Sequence, residues 1–132
     1  MNILIADDDK NFRTVLKSEM EEEEYCVDVV ADGVEAVLMF IANPYDLVML
    51  DLIMPRLNGI DTLKIMRKLN PDIPIISFSG KAGDIEVAES LNRGALKSLR
   101  KPFEVAQLKE FIKNDVFVKS RHSGGNRSPE NF

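Results

Sequence analysis

Five short apolar runs punctuate the chain: NILIA (2–6), YCVDVV (25–30), DLVML (46–50), IPIISF (73–78) and ALKSL (95–99). Each has the length of a strand. The first, third and fourth are nearly all apolar, as strands covered on both faces are. Asp28 dilutes the second run, and Lys97 and Ser98 dilute the fifth, which suits positions at the sheet edges. Between the runs the period changes to that of a helix. Phe12, Val15, Leu16 and Met20 form one stripe, and Val34, Val37, Leu38 and Ile41 a second. A third comprises Val105, Leu108, Phe111, Ile112 and Val116. Ile60, Leu63 and Met66 fit a helix less strongly, and 84–92, with Ile85, Ala88 and Leu91, gives the faintest helical pattern.

Strands alternating with helices predict an α/β fold: a five-stranded parallel sheet with helices on both faces. Right-handed crossovers leave few topologies. Buried strands in the middle and polar ones outside select the order 2-1-3-4-5, the flavodoxin-like arrangement. In such sheets the ligand site lies beyond the carboxyl ends of the central strands, at the switch point. The residues that close the runs therefore carry the functional question.

With 132 residues the chain has the size of one domain. Residues 1–119 are assigned to it, and the tail 120–132, rich in Gly, Ser and Asn without apolar period, is expected to be disordered. The net charge of −5 speaks against a general affinity for nucleic acid. The opening MNILIADDD reads as a strand with no basic segment before it, and no long apolar run follows. No secretory signal or membrane span is expected, and the protein is assigned to the cytoplasm. The single Cys26 fits a reducing compartment and is expected to be a small packing residue. His122, the only histidine, lies in the tail without other ligands near it in sequence. The run EEEE at 21–24 is expected to be a solvated helix end, its charge opposing the macrodipole. No glycine-rich phosphate loop is present.

Asp7 and Asp8 follow the first run, Asp51 follows the third, and Asp9 suits the cap of the first helix. Alone, DDD is an ordinary loop with a cap. Beside a third carboxylate on the neighbouring strand it becomes a site, because like charges held together raise one another's pKa unless a cation joins them. All-oxygen ligands suit Mg²⁺. Asp8 and Asp51 are the expected direct ligands, Asp7 acts through water, and the Ile53 backbone carbonyl completes the set. Ser79 closes the fourth run and Lys101 the fifth. A hydroxyl, an ammonium and a metal around a carboxylate suit phosphoryl transfer, which needs positioning and charge neutralisation above all. In RKPF the proline pushes Lys101 toward extended backbone, and a cis bond there carries little penalty.

The pieces ILIADDD, DGVEA, DLVMLDLIMPRLNGID, PIISFSG and GALKSLRKPF resemble the receiver domain of bacterial two-component response regulators, the chemotaxis type in particular. The likeness covers about residues 1–118. It implies that Asp51 is the phosphoacceptor for a sensor histidine kinase or phosphotransfer protein, and that Asp7 and Asp8 hold Mg²⁺ with it. It implies that Ser79 hydrogen-bonds the phosphoryl group and Lys101 pairs with it. The output would be a contact with a downstream effector protein; the edge strand and last helix are candidate surfaces for a homodimer. The protein would not be an enzyme beyond its own phosphorylation and dephosphorylation.

The chain departs from that family in two ways. Three residues before the lysine the family usually carries Tyr or Phe, a ring that turns inward as the hydroxyl-bearing loop moves; here it is Ser98, which points to a displaced or weaker switch read out by loop 79–84 and helix four. The residues two past the acceptor and two past the hydroxyl, Ile53 and Lys81, point to slow self-dephosphorylation. Arg100 alternates away from Lys101 and is expected to be a solubilising edge charge. Two other readings remain at this level. One is a Mg²⁺-dependent phosphatase or phosphotransferase, which would want an aspartate where Ile53 stands. The other is a receiver-like scaffold that no longer accepts phosphate.

Overall fold

The computed structural model describes residues 1–80 and 83–117. Lys81, His122 and the 120–132 tail lie outside them. Five strands, β1 (Asn2–Ala6), β2 (Cys26–Val30), β3 (Leu47–Asp51), β4 (Ile75–Ser79) and β5 (Lys97–Arg100), alternate with helices α1 (Lys10–Glu22), α2 (Gly33–Ala42), α3 (Gly59–Leu69), α4 (Asp84–Asn92) and α5 (Val105–Phe111). A π-helical turn, Ile112–Val116, extends α5. The strands pair in parallel in the order β2-β1-β3-β4-β5, the expected topology. Strand ends differ from the sequence reading by one or two residues. Asp51 and Ser79 are the last residues of their strands rather than the first beyond them.

Alternation along the central strands divides the interior into two cores. Ile3, Ile5, Leu47, Met49, Ile76 and Phe78 face α1 and α5, where they meet Leu16, Met20, Leu108 and Ile112. Leu4, Ala6, Val48, Leu50 and Ile75 face the other way, toward Ala36, Leu63 and Met66 of α2 and α3. β1, β3 and β4 are buried along nearly their whole length. Among the described residues no helix is long and apolar enough to cross a membrane.

Three helices turn differently from their sequence stripes. In α2, Leu38 is 61 % and Ile41 64 % exposed, and the buried face is Gly33 and Ala36, with Met39 and Phe40 packed against the core. GVEAVLMFIA is apolar almost all round, so periodicity could not choose its face. Close approach chose it: a Cβ on Gly33 would overlap the Leu57 carbonyl. Val15 of α1 is likewise exposed. In α4 the expected stripe points outward, with Ile85 81 % exposed, and the one fully buried residue is Ser90. The α3 stripe of Ile60, Leu63 and Met66 is buried as expected.

Smaller expectations also change. Cys26 is exposed, because it begins an edge strand. The acidic run is not simply solvated: Lys109 of α5 bridges Glu19, Glu22 and Glu23 and ties the two helices. Arg100 pairs with Asp84, joining β5 to the start of α4.

Candidate functional site

The carboxyl ends of β1, β3, β4 and β5 bring together the residues that close their runs. Asp7 follows β1 directly and is fully buried. Its N–H donates to the Val30 carbonyl at 3.1 Å, and its own carbonyl accepts from Arg13 Nη1 at 2.7 Å. Asp9 caps α1, accepting from the N–H groups of Asn11 and Phe12 at 3.0 and 3.2 Å. That cap turns the chain so that Asp8 is exposed at the rim while Asp7 lies inside. Asp51 ends β3 with only 6 % exposure.

One carboxylate oxygen from each of Asp7, Asp8 and Asp51 lies within 4.8 Å of the others. Burial raises the Asp51 pKa to about 6, and the Asp7 charge adds to the rise; the Ile53 N–H, at 3.1 Å from Oδ1, and Lys101 offset part of it. Two buried carboxylates with a third at the rim form an electrostatically unfavourable set that a hard divalent cation relieves. The donor chemistry fits Mg²⁺.

Lys101 supplies the ammonium that, among the described residues, pairs with Asp7 and Asp51. Its Nζ lies 2.5 Å from Asp7 Oδ2 and 3.4 Å from Asp51 Oδ2, so before any phosphoryl group arrives it leans on Asp7. Burial opposes its charge, but the hydrogen bond to Asp7 and the charges of Asp51 and Asp7 outweigh that and hold its pKa above the ordinary lysine value. The Lys101–Pro102 bond is cis. Gly80 leaves room for the lysine stem, since a Cβ there would stand 3.3 Å from Lys101 Cδ.

Ser79 is 2 % exposed, and its Oγ has no hydrogen-bond partner among the described residues. A buried, unpaired hydroxyl carries a desolvation penalty of about 1–3 kcal/mol, which a ligand oxygen would remove. It stands at the end of β4, beside β3 in the sheet.

Ile53 sits in the loop just past Asp51 with 37 % exposure. Arg56 anchors this loop from a left-handed conformation (φ 66°), its Nε 3.1 Å from Asp32 Oδ2 at the start of α2. Gly59 opens α3 so close to β3 that a Cβ would overlap the Asp51 carbonyl.

Two neighbours of the site carry no sequence signal of their place in it. Phe12 counted as part of the α1 stripe, yet its ring faces the Lys101 ammonium. The Asp32–Arg56 pair gave no sign, because 24 residues separate its members.

The profile of the family described as "Response regulator receiver domain" matches residues 3–113. The chain is 34 % identical over 120 residues to an uncharacterized transcriptional regulatory protein, YcbL, of Bacillus subtilis, covering 91 % of this chain and 53 % of that one. The chain thus spans about half the length of the curated relatives it matches. Among solved structures, the receiver domain of the Francisella response regulator 1452 superposes with a TM-score of 0.81 at 34 % identity, over 90 % of this chain and 98 % of that one. A CheY-like receiver domain protein of Methanospirillum hungatei superposes with a TM-score of 0.85 at 29 % identity, over 91 % and 96 % respectively.

Proposed function

The chain belongs to the response regulator receiver domain family, a family of phosphorylation-dependent switches in two-component systems, and from that premise we propose that Asp51 is its phosphoacceptor. The observation that carries the reading is the convergence on Asp51 of an ammonium at 3.4 Å and two further carboxylates.

The donor is a phosphohistidine of a sensor kinase or phosphotransfer protein. An Asp51 carboxylate oxygen forms a bond to phosphorus as the P–N bond breaks, and the imidazole leaves carrying the electron pair. Asp7, Asp8, Asp51 and the Ile53 carbonyl are the groups that would hold Mg²⁺, which supplies charge neutralisation on the phosphoryl oxygens. Lys101 releases Asp7 and pairs with a phosphoryl oxygen, and the Ser79 hydroxyl donates a hydrogen bond to another. Burial of Asp51 keeps bulk water from competing. The product carries about −1.5 to −2 charges where the carboxylate carried one.

Release of the phosphoryl group completes the only reaction assigned to the domain; its output is a changed contact with a downstream effector protein. A cytoplasmic location, a receiver domain spanning 1–119 and self-association through the β5–α5 side belong to the same reading.

Intact-mass measurement after incubation with acetyl phosphate and Mg²⁺ tests it. The wild type gains one phosphoryl group, and neither Asp51→Asn nor wild type in excess EDTA gains any. Labelling of Asp51→Asn would overturn the assignment.

A further inference from the structure

Phe12 would be a core residue and nothing more if apolar atoms alone covered its ring. Instead Lys101 Nζ stands 4.0 Å from the ring centroid. This is the same ammonium that lies between Asp7 and Asp51. The ring is also fixed in place. It meets Phe78 edge-on at 5.3 Å and 76°, and Phe103 at 5.9 Å and 78°. Those two rings stack on each other at 5.4 Å and 16°, and Phe78 is fully buried. Three elements therefore hold one aromatic face against one cation: α1, β4 and the segment after β5.

An aromatic face attracts a cation through its quadrupole, and more strongly where water is excluded. Lys101 retains 18 % side-chain exposure, so the contact is largely desolvated. The attraction also differs in kind from a hydrogen bond. A carboxylate oxygen holds a proton along a line, whereas a ring face offers a surface over which an ammonium can shift by an ångström at little cost. Lys101 needs that freedom, because it must give up Asp7 at 2.5 Å and follow the new negative charge on Asp51. The ring itself carries no net charge and is packed against Phe78 and Phe103.

We propose that Phe12 is a positioning residue for phosphoryl transfer to Asp51, its ring face carrying the Lys101 ammonium from Asp7 to the phosphoryl oxygens. The inference rests on the reading that Lys101 binds the phosphoryl group.

The test uses the full chain with acetyl phosphate and Mg²⁺, following the second-order rate of phosphorylation by intact mass. Phe12→Leu keeps an apolar side chain and removes the quadrupole; its rate is expected to fall about three- to ten-fold, with Phe12→Tyr within about two-fold of wild type. Because Phe12→Leu also disturbs the ring cluster, phenylalanines bearing one, two and three ring fluorines are placed at position 12. They keep the shape while draining the negative face, and the rate is expected to fall stepwise with fluorine count. In the wild-type spectrum the Lys101 ε-methylene protons are expected upfield of those of exposed lysines, and Phe12→Leu returns them. A flat fluorine series, or unshifted ε-methylene protons in wild type, overturns the inference. Lys101→Ala separates the two levels. If it reacts slowly while the fluorine series is flat, only the role of Phe12 fails; if it reacts at the wild-type rate, the lysine assignment fails and this inference with it.

Discussion

Asp51 carries its charge against burial and against the neighbouring Asp7 charge. With its pKa raised to about 6 from 3.8, it binds a proton in the folded state before the unfolded chain does. Stability accordingly falls as pH rises through that interval, and the loss is complete above it. Asp51→Asn, which removes the charge and keeps the shape, is expected to stabilise the metal-free protein by about 2–3 kcal/mol at pH 7 and by well under ~1 kcal/mol at pH 4. Thermal unfolding in EDTA across that range measures it, and a variant no more stable at neutral pH would refute the buried repulsion. At this scale sequence reasoning reached far. Asp7, Asp8, Asp51, Ser79 and Lys101 were all legible, because each stands where an apolar run stops. Phe12 was not legible in its second role, since an aromatic on a helix stripe looks the same whether apolar atoms or an ammonium cover its face. Nor was the lean of Lys101 toward Asp7, which depends on ångström differences between two carboxylates.

Among the elements, α4 is held in an unusual way. Ser90 is its fully buried residue, while Ile85 and Leu91 face outward. Beneath it Ser77 Oγ donates to Ser98 Oγ at 2.7 Å and shares a hydrogen bond with Ser90 Oγ at 3.1 Å. Ser98 occupies the position where the family usually carries a ring, and three hydroxyls link β4, β5 and α4 in its place. A hydrogen bond contributes a net ~0.5–1.5 kcal/mol, less than the ~1.5–3 kcal/mol of one buried leucine. The sheet side of α4 is therefore held by these hydroxyls together with Val87, which packs on Leu52 and Ile60. Ser98→Ala is expected to speed amide exchange in α4 about five-fold while α1 and α3 exchange as before. Equal protection of α4 in variant and wild type would show that the hydroxyls do not hold it. This arrangement escaped the sequence reading for a physical reason. Helical periodicity finds a face that is buried by apolar residues, and in α4 Ile85 and Leu91 face solvent while Val87 packs on Leu52 and Ile60. In α2 the same rule failed for the opposite reason, an excess of apolar positions.

For the whole molecule, the sheet's carboxyl rim gathers the Asp7, Asp8 and Asp51 carboxylates, whose repulsion Lys101 offsets in part and a cation would offset further. Mg²⁺ at ten times its dissociation constant is expected to add about 1.4 kcal/mol of stability, seen as a rise in melting temperature of about 5 °C. Asp8→Asn should show a smaller rise, since it removes the exposed carboxylate of the trio. An equal rise in both proteins would place the cation elsewhere. The sequence by itself determined the α/β class, the strand order and the residues at the rim. Strand burial, crossover handedness and the placing of charge at strand ends are local or topological facts, written in composition and order. Only the tertiary structure decided which faces α2 and α4 bury, which carboxylate Lys101 touches, and that Phe12 and three serines sit where they do. Those outcomes turn on packing between segments far apart in the chain, where the distance between two side chains has no counterpart in their spacing along it.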